Sequence, residues 1–130
     1  MQDDELTENL RFFLKSEQSI RLAILFGSIA RGTARTDSDV DLAVLQDQPL
    51  SIIEKTALIE KISVISGRPV DLIDLTTVGE PLLGEILRGK RLTGSDENFA
   101  RLLTRHLVDT ADFLPLQQRI LKERRDAWIK

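Results

Sequence analysis

Apolar and polar positions along the chain fall into blocks whose period changes from segment to segment. Leu6, Leu10, Phe13 and Leu14 recur near helical spacing within residues 5–14, which predicts a short amphipathic helix. Residues 21–26 hold the run Leu22, Ala23, Ile24, Leu25 and Phe26, cut off at Gly27-Ser28, and predict a buried strand. Residues 29–38 are small and polar, suited to a loop or short helix. Residues 39–45 alternate acid and aliphatic before turning wholly apolar, as in a strand whose first half has one polar face. After a turn signal at Asp47-Gln48-Pro49, Ile52, Ile53, Leu58, Ile59, Ile62 and Ile65 form a helical stripe over residues 50–65, ended by Ser66-Gly67. Residues 70–75 again read as a strand, 78–87 as a short helix stopped near Gly89, and 90–93 as a short edge strand. From Asp96, the residues Phe99, Leu102, Leu103, His106 and Leu107 lie at helical spacing, and Pro115 breaks or kinks that helix before residues 116–130.

Helices and strands alternating in this order predict a mixed α/β (α+β) domain, a small sheet with helices packed against it. The expected division is a core over residues 1–95 and a C-terminal helical extension over 96–130, with no internal repeat or linker. At 130 residues a chain buries roughly two thirds of the surface its unfolded form exposes, so no disulfide or metal is needed as a staple.

Composition narrows the chemistry. The chain has no cysteine, no tyrosine and one histidine, His106. Thiolate zinc sites are excluded, and multi-histidine metal sites and Ser-His-Asp triads are disfavoured, leaving carboxylates, hydroxyls and backbone amides. A net charge of −3 argues against direct nucleic-acid binding by the whole surface. The acidic start, Met1-Gln2-Asp3-Asp4-Glu5, is unlike a secretory signal, and no apolar run approaches the ~20 residues of a membrane span, so a cytoplasmic location is expected.

Candidate chemistry concentrates in residues 26–42. On a strand, side chains two apart share a face, so Asp39 and Asp41 are expected to project together and to repel unless a cation lies between them. Hard carboxylate oxygens suit magnesium or manganese. The turn at Gly27-Ser28 offers backbone amides and a hydroxyl to phosphate oxygens. A third acid comes from the later strand. Asp71 and Asp74 face opposite sides of it, and Asp71 is preferred, with Asp74 read as a turn or helix-cap residue. A phosphate cradle beside three convergent carboxylates is the equipment of two-metal phosphoryl or nucleotidyl transfer, in which Asp71 could also accept a hydroxyl proton. Arg31 and Arg35 are candidates for phosphate contact, although arginines in a polar loop are often simply solvated. Asp37 and Ser38 are expected to shape the turn into the second strand, and His106 to pack on its helix.

Gly27-Ser28, ten residues, then Asp39-Val40-Asp41 resembles the signature of the polymerase-β-like nucleotidyltransferases. The likeness spans most of residues 22–75 and is greatest to the minimal, single-domain branch. It implies that fold, with Asp39 and Asp41 binding both metal ions (Mg2+, or Mn2+), Asp71 binding the catalytic one, and Gly27 and Ser28 contacting the ATP triphosphate; Arg31 joins them as a nucleotide-binding candidate on its own charge and position. Members of this length that the chain resembles are the antitoxins of HEPN/MNT toxin-antitoxin pairs. The resemblance therefore implies a HEPN ribonuclease toxin as partner and AMP transfer from ATP to one of its tyrosines.

Two other readings share these residues: a small-molecule nucleotidyltransferase of the aminoglycoside-modifying kind, and an antitoxin acting mainly by steric binding. Short length favours an acceptor supplied by a partner protein, and the lack of tyrosine places a tyrosine acceptor on another chain. The basic tail around Arg119, Lys122, Arg124 and Arg125, with Trp128, is expected to dock on the domain or a partner, or to remain a solvated face.

Overall fold

The computed structural model describes residues 3–110 and residue 122. The expectations for the tail beyond residue 110, including Trp128, lie outside the described residues, Lys122 apart. The elements run α1 (Asp3–Ser16), β1 (Leu22–Phe26), α2 (Gly27–Arg31), β2 (Val40–Leu45), α3 (Ile52–Ser66), β3 (Val70–Asp74), α4 (Leu82–Leu87), β4 (Lys90–Gly94) and α5 (Asp96–Thr110). The strands form one mixed sheet in the order β3-β2-β1-β4. β1 pairs antiparallel with both β2 and β4, whereas β2 and β3 run parallel. The parallel pair is joined through α3, as a crossover requires. β1 is one of the two inner strands and has every residue buried, which accounts for its unbroken apolar run.

Strand alternation divides the core into two layers. Ala23, Leu25, Val40, Leu42, Val44, Leu72 and Leu92 face α1 and α3, meeting Leu6, Leu10, Leu14, Leu58 and Ile62. Leu22, Ile24, Phe26 and Ala43 face the other way and pack with Leu83 and Ile86 of α4 and Leu102 of α5. Helices therefore cover both sides of the sheet, and α5 belongs to the second layer. Arg105 ties it down further, its guanidinium donating to the carbonyls of Leu75 (3.0 Å) and Val78 (3.1 Å).

α3 starts at a capping box: the Glu54 amide donates to Ser51 Oγ (3.1 Å) and the Ser51 amide to Glu54 Oε1 (3.2 Å). It stops at Gly67, whose φ of 67° is the left-handed conformation that ends a helix. The predicted stripe on this helix is partly wrong. Ile52 and Ile53 are 86% and 81% exposed. The buried positions are Leu58, Ile62 and Ser66, each four residues after the last. Extending that row backwards reaches Glu54, so at ~100° per residue Ile52 and Ile53 point well away from the sheet.

Asp74 has the turn role expected of it and a wider one. Its carboxylate accepts from the Thr76 amide and, across 24 positions, from the Leu50 amide, both at 2.8 Å. Burial alone would raise this carboxyl, but the two amides, together with the Thr76 side chain and the charge of Lys55, outweigh it and hold the pKa below the ordinary value. Because the folded-state pKa is depressed, this stabilisation is present above the unfolded value and is lost as pH falls through the folded one. Asp74→Ala is expected to cost about 2 kcal/mol, the loss of two amide bonds to a charged acceptor. A thermal melt showing no loss of stability would exclude this role.

Candidate active site

The C-terminal end of β1 and the N-terminal ends of β2 and β3 meet at one end of the sheet. In the parallel pair Asp41 lies opposite Asp71, and in the antiparallel pair Asp41 lies opposite Phe26, the residue before Gly27. Val40, Leu42 and Leu72 belong to the α1/α3 layer. Alternation then puts Asp41 and Asp71 on the opposite face, toward α4 and α5. Asp74 is on the α3 side with its two amide donors, on the face away from Asp41 and Asp71. Asp39 does not begin the strand as expected: β2 starts at Val40, whose amide donates to the Pro69 carbonyl (2.9 Å). Asp39 instead closes the preceding loop, one position out of the ladder.

That loop is shaped by groups distant in sequence. The Arg35 amide donates to Ser38 Oγ (2.7 Å), so Ser38 forms the turn as expected. Arg68 donates from Nη1 to the carbonyls of Arg35 (2.9 Å) and Ser38 (3.3 Å), pinning the backbone just ahead of Asp39. Sequence reasoning missed Arg68. Its partners lie 30 and 33 positions away, and nothing around Arg68-Pro69 signals them.

The Asp41 carboxyl is held above the ordinary carboxylate range, first by burial and then by the charges of Asp71, Asp39 and Glu85, with Arg31 pulling the other way. Glu85 of α4 is a fourth acid that the sequence did not reveal, since its helix enters the site only through tertiary packing. It stands 3.8 Å from Arg31 in an ion pair. Arg31 is thus placed at the mouth of the site, and Arg35 lies back in the loop held by Arg68.

Gly27 is fitted against Asp41. Its φ is +74°, and a Cβ there would stand 2.1 Å from Asp41 Oδ2. Both facts require glycine: the left-handed backbone disfavours any side chain, and the carboxylate occupies the space one would need. α2 follows directly, and no side chain caps its first turn. A cleft of about 210 Å³ opens beside it, lined by Gly27, Ala30, Arg31, Glu85, Arg88 and Gly89.

Among the described residues, no three His, Cys, Asp or Glu side chains are already gathered as a metal-holding group. The donor chemistry nonetheless fits a divalent cation. Three carboxylates reach one end of the sheet, and the one in the middle carries an electrostatic penalty that a cation would remove. Such an ion would draw the acids together rather than enter a finished cage.

His106 does not simply pack on its apolar stripe. Its Nδ1 lies 2.6 Å from Glu80 Oε1, with both side chains mostly covered. No helix among the described residues is long and apolar enough to cross a membrane.

Three comparisons bear on this geometry. The profile of the family described as "Polymerase beta, Nucleotidyltransferase" matches residues 8–98. The protein adenylyltransferase MntA of Shewanella oneidensis is 33% identical over 102 residues, covering 74% of this chain and 73% of its own. The fold is similar to that of a chain in the crystal structure of a toxin-antitoxin with AMP-PNP, at a TM-score of 0.66 and 24% identity, covering 98% of this chain and 95% of that one. It is also similar to a chain in the structure of a tri-AMPylated Shewanella oneidensis HEPN toxin in complex with MNT antitoxin, at a TM-score of 0.63 and 25% identity, covering 98% and 95%.

Proposed function

Since the chain belongs to the polymerase beta nucleotidyltransferase family, we propose that it is an antitoxin that transfers AMP from ATP to a tyrosine hydroxyl of a HEPN-family toxin. The observation that carries this reading is the placement of Asp41 between Asp71 on the neighbouring strand and Gly27 at the phosphate-binding turn. Support for the acceptor comes from a relative named a protein adenylyltransferase and from the absence of tyrosine in this chain.

In this reading the Gly27 and Ser28 amides and the Ser28 hydroxyl hold the triphosphate, with Arg31 at its outer side. Asp39, Asp41 and Asp71 would hold Mg2+, which supplies charge neutralisation to the phosphates and lowers the pKa of the attacking hydroxyl. The tyrosine oxygen forms a bond to the α-phosphorus, and the bond from that phosphorus to the bridging oxygen breaks. The electron pair leaves with pyrophosphate, and Asp71 takes the phenolic proton. Catalysis then rests on position and electrostatics.

The test is incubation of the full chain with ATP labelled at the α-phosphate, magnesium and the cognate HEPN toxin. Label is expected on a toxin tyrosine with the wild type and not with Asp39→Asn. An unlabelled toxin in the wild-type reaction would overturn the proposal. Pyrophosphate release with an aminoglycoside instead would support the small-molecule reading.

A further inference from the structure

We propose that Arg88 binds the outer phosphates of the nucleotide, the β- and γ-phosphates that leave as pyrophosphate, and so makes the site select a triphosphate; this rests on the transfer reading above. Arg88 follows α4 directly and shares the wall of the 210 Å³ cleft with Gly27, Arg31 and Glu85. Asp41 is fitted against Gly27, and Gly27 is itself part of the cleft wall. A phosphate chain that starts at the acids therefore enters the cleft at Gly27 and carries its outer members towards Arg88.

The backbone that carries Arg88 is fixed on both sides. Its amide donates to the Glu85 carbonyl (3.2 Å) and that of Gly89 to the Ile86 carbonyl (2.9 Å), closing the last turn of α4. Gly89 then passes hard against β1. A Cβ there would stand 2.3 Å from the Leu25 carbonyl oxygen and 3.0 Å from Phe26 Cβ, so only glycine allows the approach. Lys90, the next residue, pairs with Leu25 in the sheet. Arg88 is thus anchored beside the end of β1, where the chain turns at Gly27.

Charge and size indicate the occupant. Of the charged residues lining the cleft, Arg31 and Glu85 stand 3.8 Å apart and offset each other. The Arg88 guanidinium has no carboxylate or hydrogen-bond partner among the described residues, which leaves its charge unmatched. A half-buried guanidinium in that state is suited to an anion, and its planar fork matches phosphate oxygens. At about 210 Å³ the cleft is smaller than the roughly 300–1,000 Å³ of a pocket that takes a whole small molecule, so it suits one part of a nucleotide. Negative charge grows on the outer phosphates as pyrophosphate leaves, and the contact strengthens along the reaction.

The experiment uses the full chain, first with nucleotide and Mg2+ alone and then with its cognate HEPN toxin. By calorimetry Arg88→Ala is expected to weaken ATP binding about tenfold, the scale of one lost charge-assisted hydrogen bond. AMP, which lacks the outer phosphates, should bind as it does to the wild type. In steady-state transfer the KM for ATP should rise with the KM for toxin unchanged, and Arg88→Lys, which keeps the charge without the fork, should recover part of the loss. A folded Arg88→Ala protein with unchanged ATP affinity, or with ATP and AMP weakened equally, would overturn the assignment. So would a raised KM for toxin at unchanged ATP affinity, which would turn Arg88 towards the larger groove it also lines with Glu80 and His106. ATP binding that depends on Arg88, with no label reaching the toxin, would overturn the transfer reading and leave the phosphate contact standing.

Discussion

Asp41→Asn is expected to reduce AMP transfer by about a thousand-fold or more while making the protein free of divalent ions more resistant to heat. The two effects have one cause. Asp41 is half-buried and faces the like charges of Asp71, Asp39 and Glu85, which with the burial exceed the relief from Arg31. A neutral amide of nearly the same shape removes both the desolvation cost and the repulsion. A carboxylate kept there at the expense of stability is the mark of a functional site. The sign of the pH dependence follows. A carboxyl whose folded-state pKa is raised favours the folded protein fully below its unfolded pKa, and that advantage is lost as pH rises through the folded pKa. Ion-free wild type should therefore lose stability over that interval, and Asp41→Asn should lose less. Added Mg2+ should raise the wild-type Tm more than that of the variant, by preferential binding to the folded state. Calorimetry across pH, with and without Mg2+, measures all of this. An Asp41→Asn protein that retained activity within tenfold of wild type, or melted earlier, would refute the account.

Gly27→Ala is expected to be the other severe substitution, for reasons of space and backbone. At a φ of +74° alanine carries a strain of about 1–2 kcal/mol. Its methyl carbon would also lie 2.1 Å from Asp41 Oδ2 and 3.0 Å from Cγ, far inside contact distance. Asp41 must swing away or β1 must part from β2, and either displaces the acid from the turn that would hold the phosphates. Transfer should fall by at least about a hundred-fold, the usual penalty of misplacing a reacting group by an ångström. A double-mutant cycle separates the two causes. In the Asp41→Ala background the clash with the carboxylate is gone, so Gly27→Ala should cost the backbone strain and a tight 3.2 Å contact with the Cβ of residue 41, and no more. Equal destabilisation in both backgrounds would show that contact with Asp41 contributes nothing.

The sheet end that carries the acids illustrates how much could be read in advance. Gly27-Ser28 after an apolar run, and Asp39 and Asp41 before one, are local signals, because the strand period and the turn chemistry are written within a few residues. The same local logic misjudged Ile52 and Ile53. They are apolar and adjacent to a real stripe, but the face they occupy depends on where the helix meets the sheet. Alternation likewise puts Asp39 in the strand, whereas the Val40 amide donating to the Pro69 carbonyl sets where the ladder begins.

By itself the sequence determined the succession of strands and helices, the restriction to oxygen ligands, the pairing of a glycine turn with two acids, and the need for any tyrosine acceptor to lie on another chain. Only the tertiary structure decided that Asp71 stands opposite Asp41, that Glu85 and Arg31 face each other across the cleft, that Arg68 holds the loop before Asp39, and that Glu80 fixes His106. Each of these contacts joins positions at least 26 apart. Strand order, parallel register and the side of the sheet on which a helix lands are set by the packing of the whole core. No short window of residues contains that information.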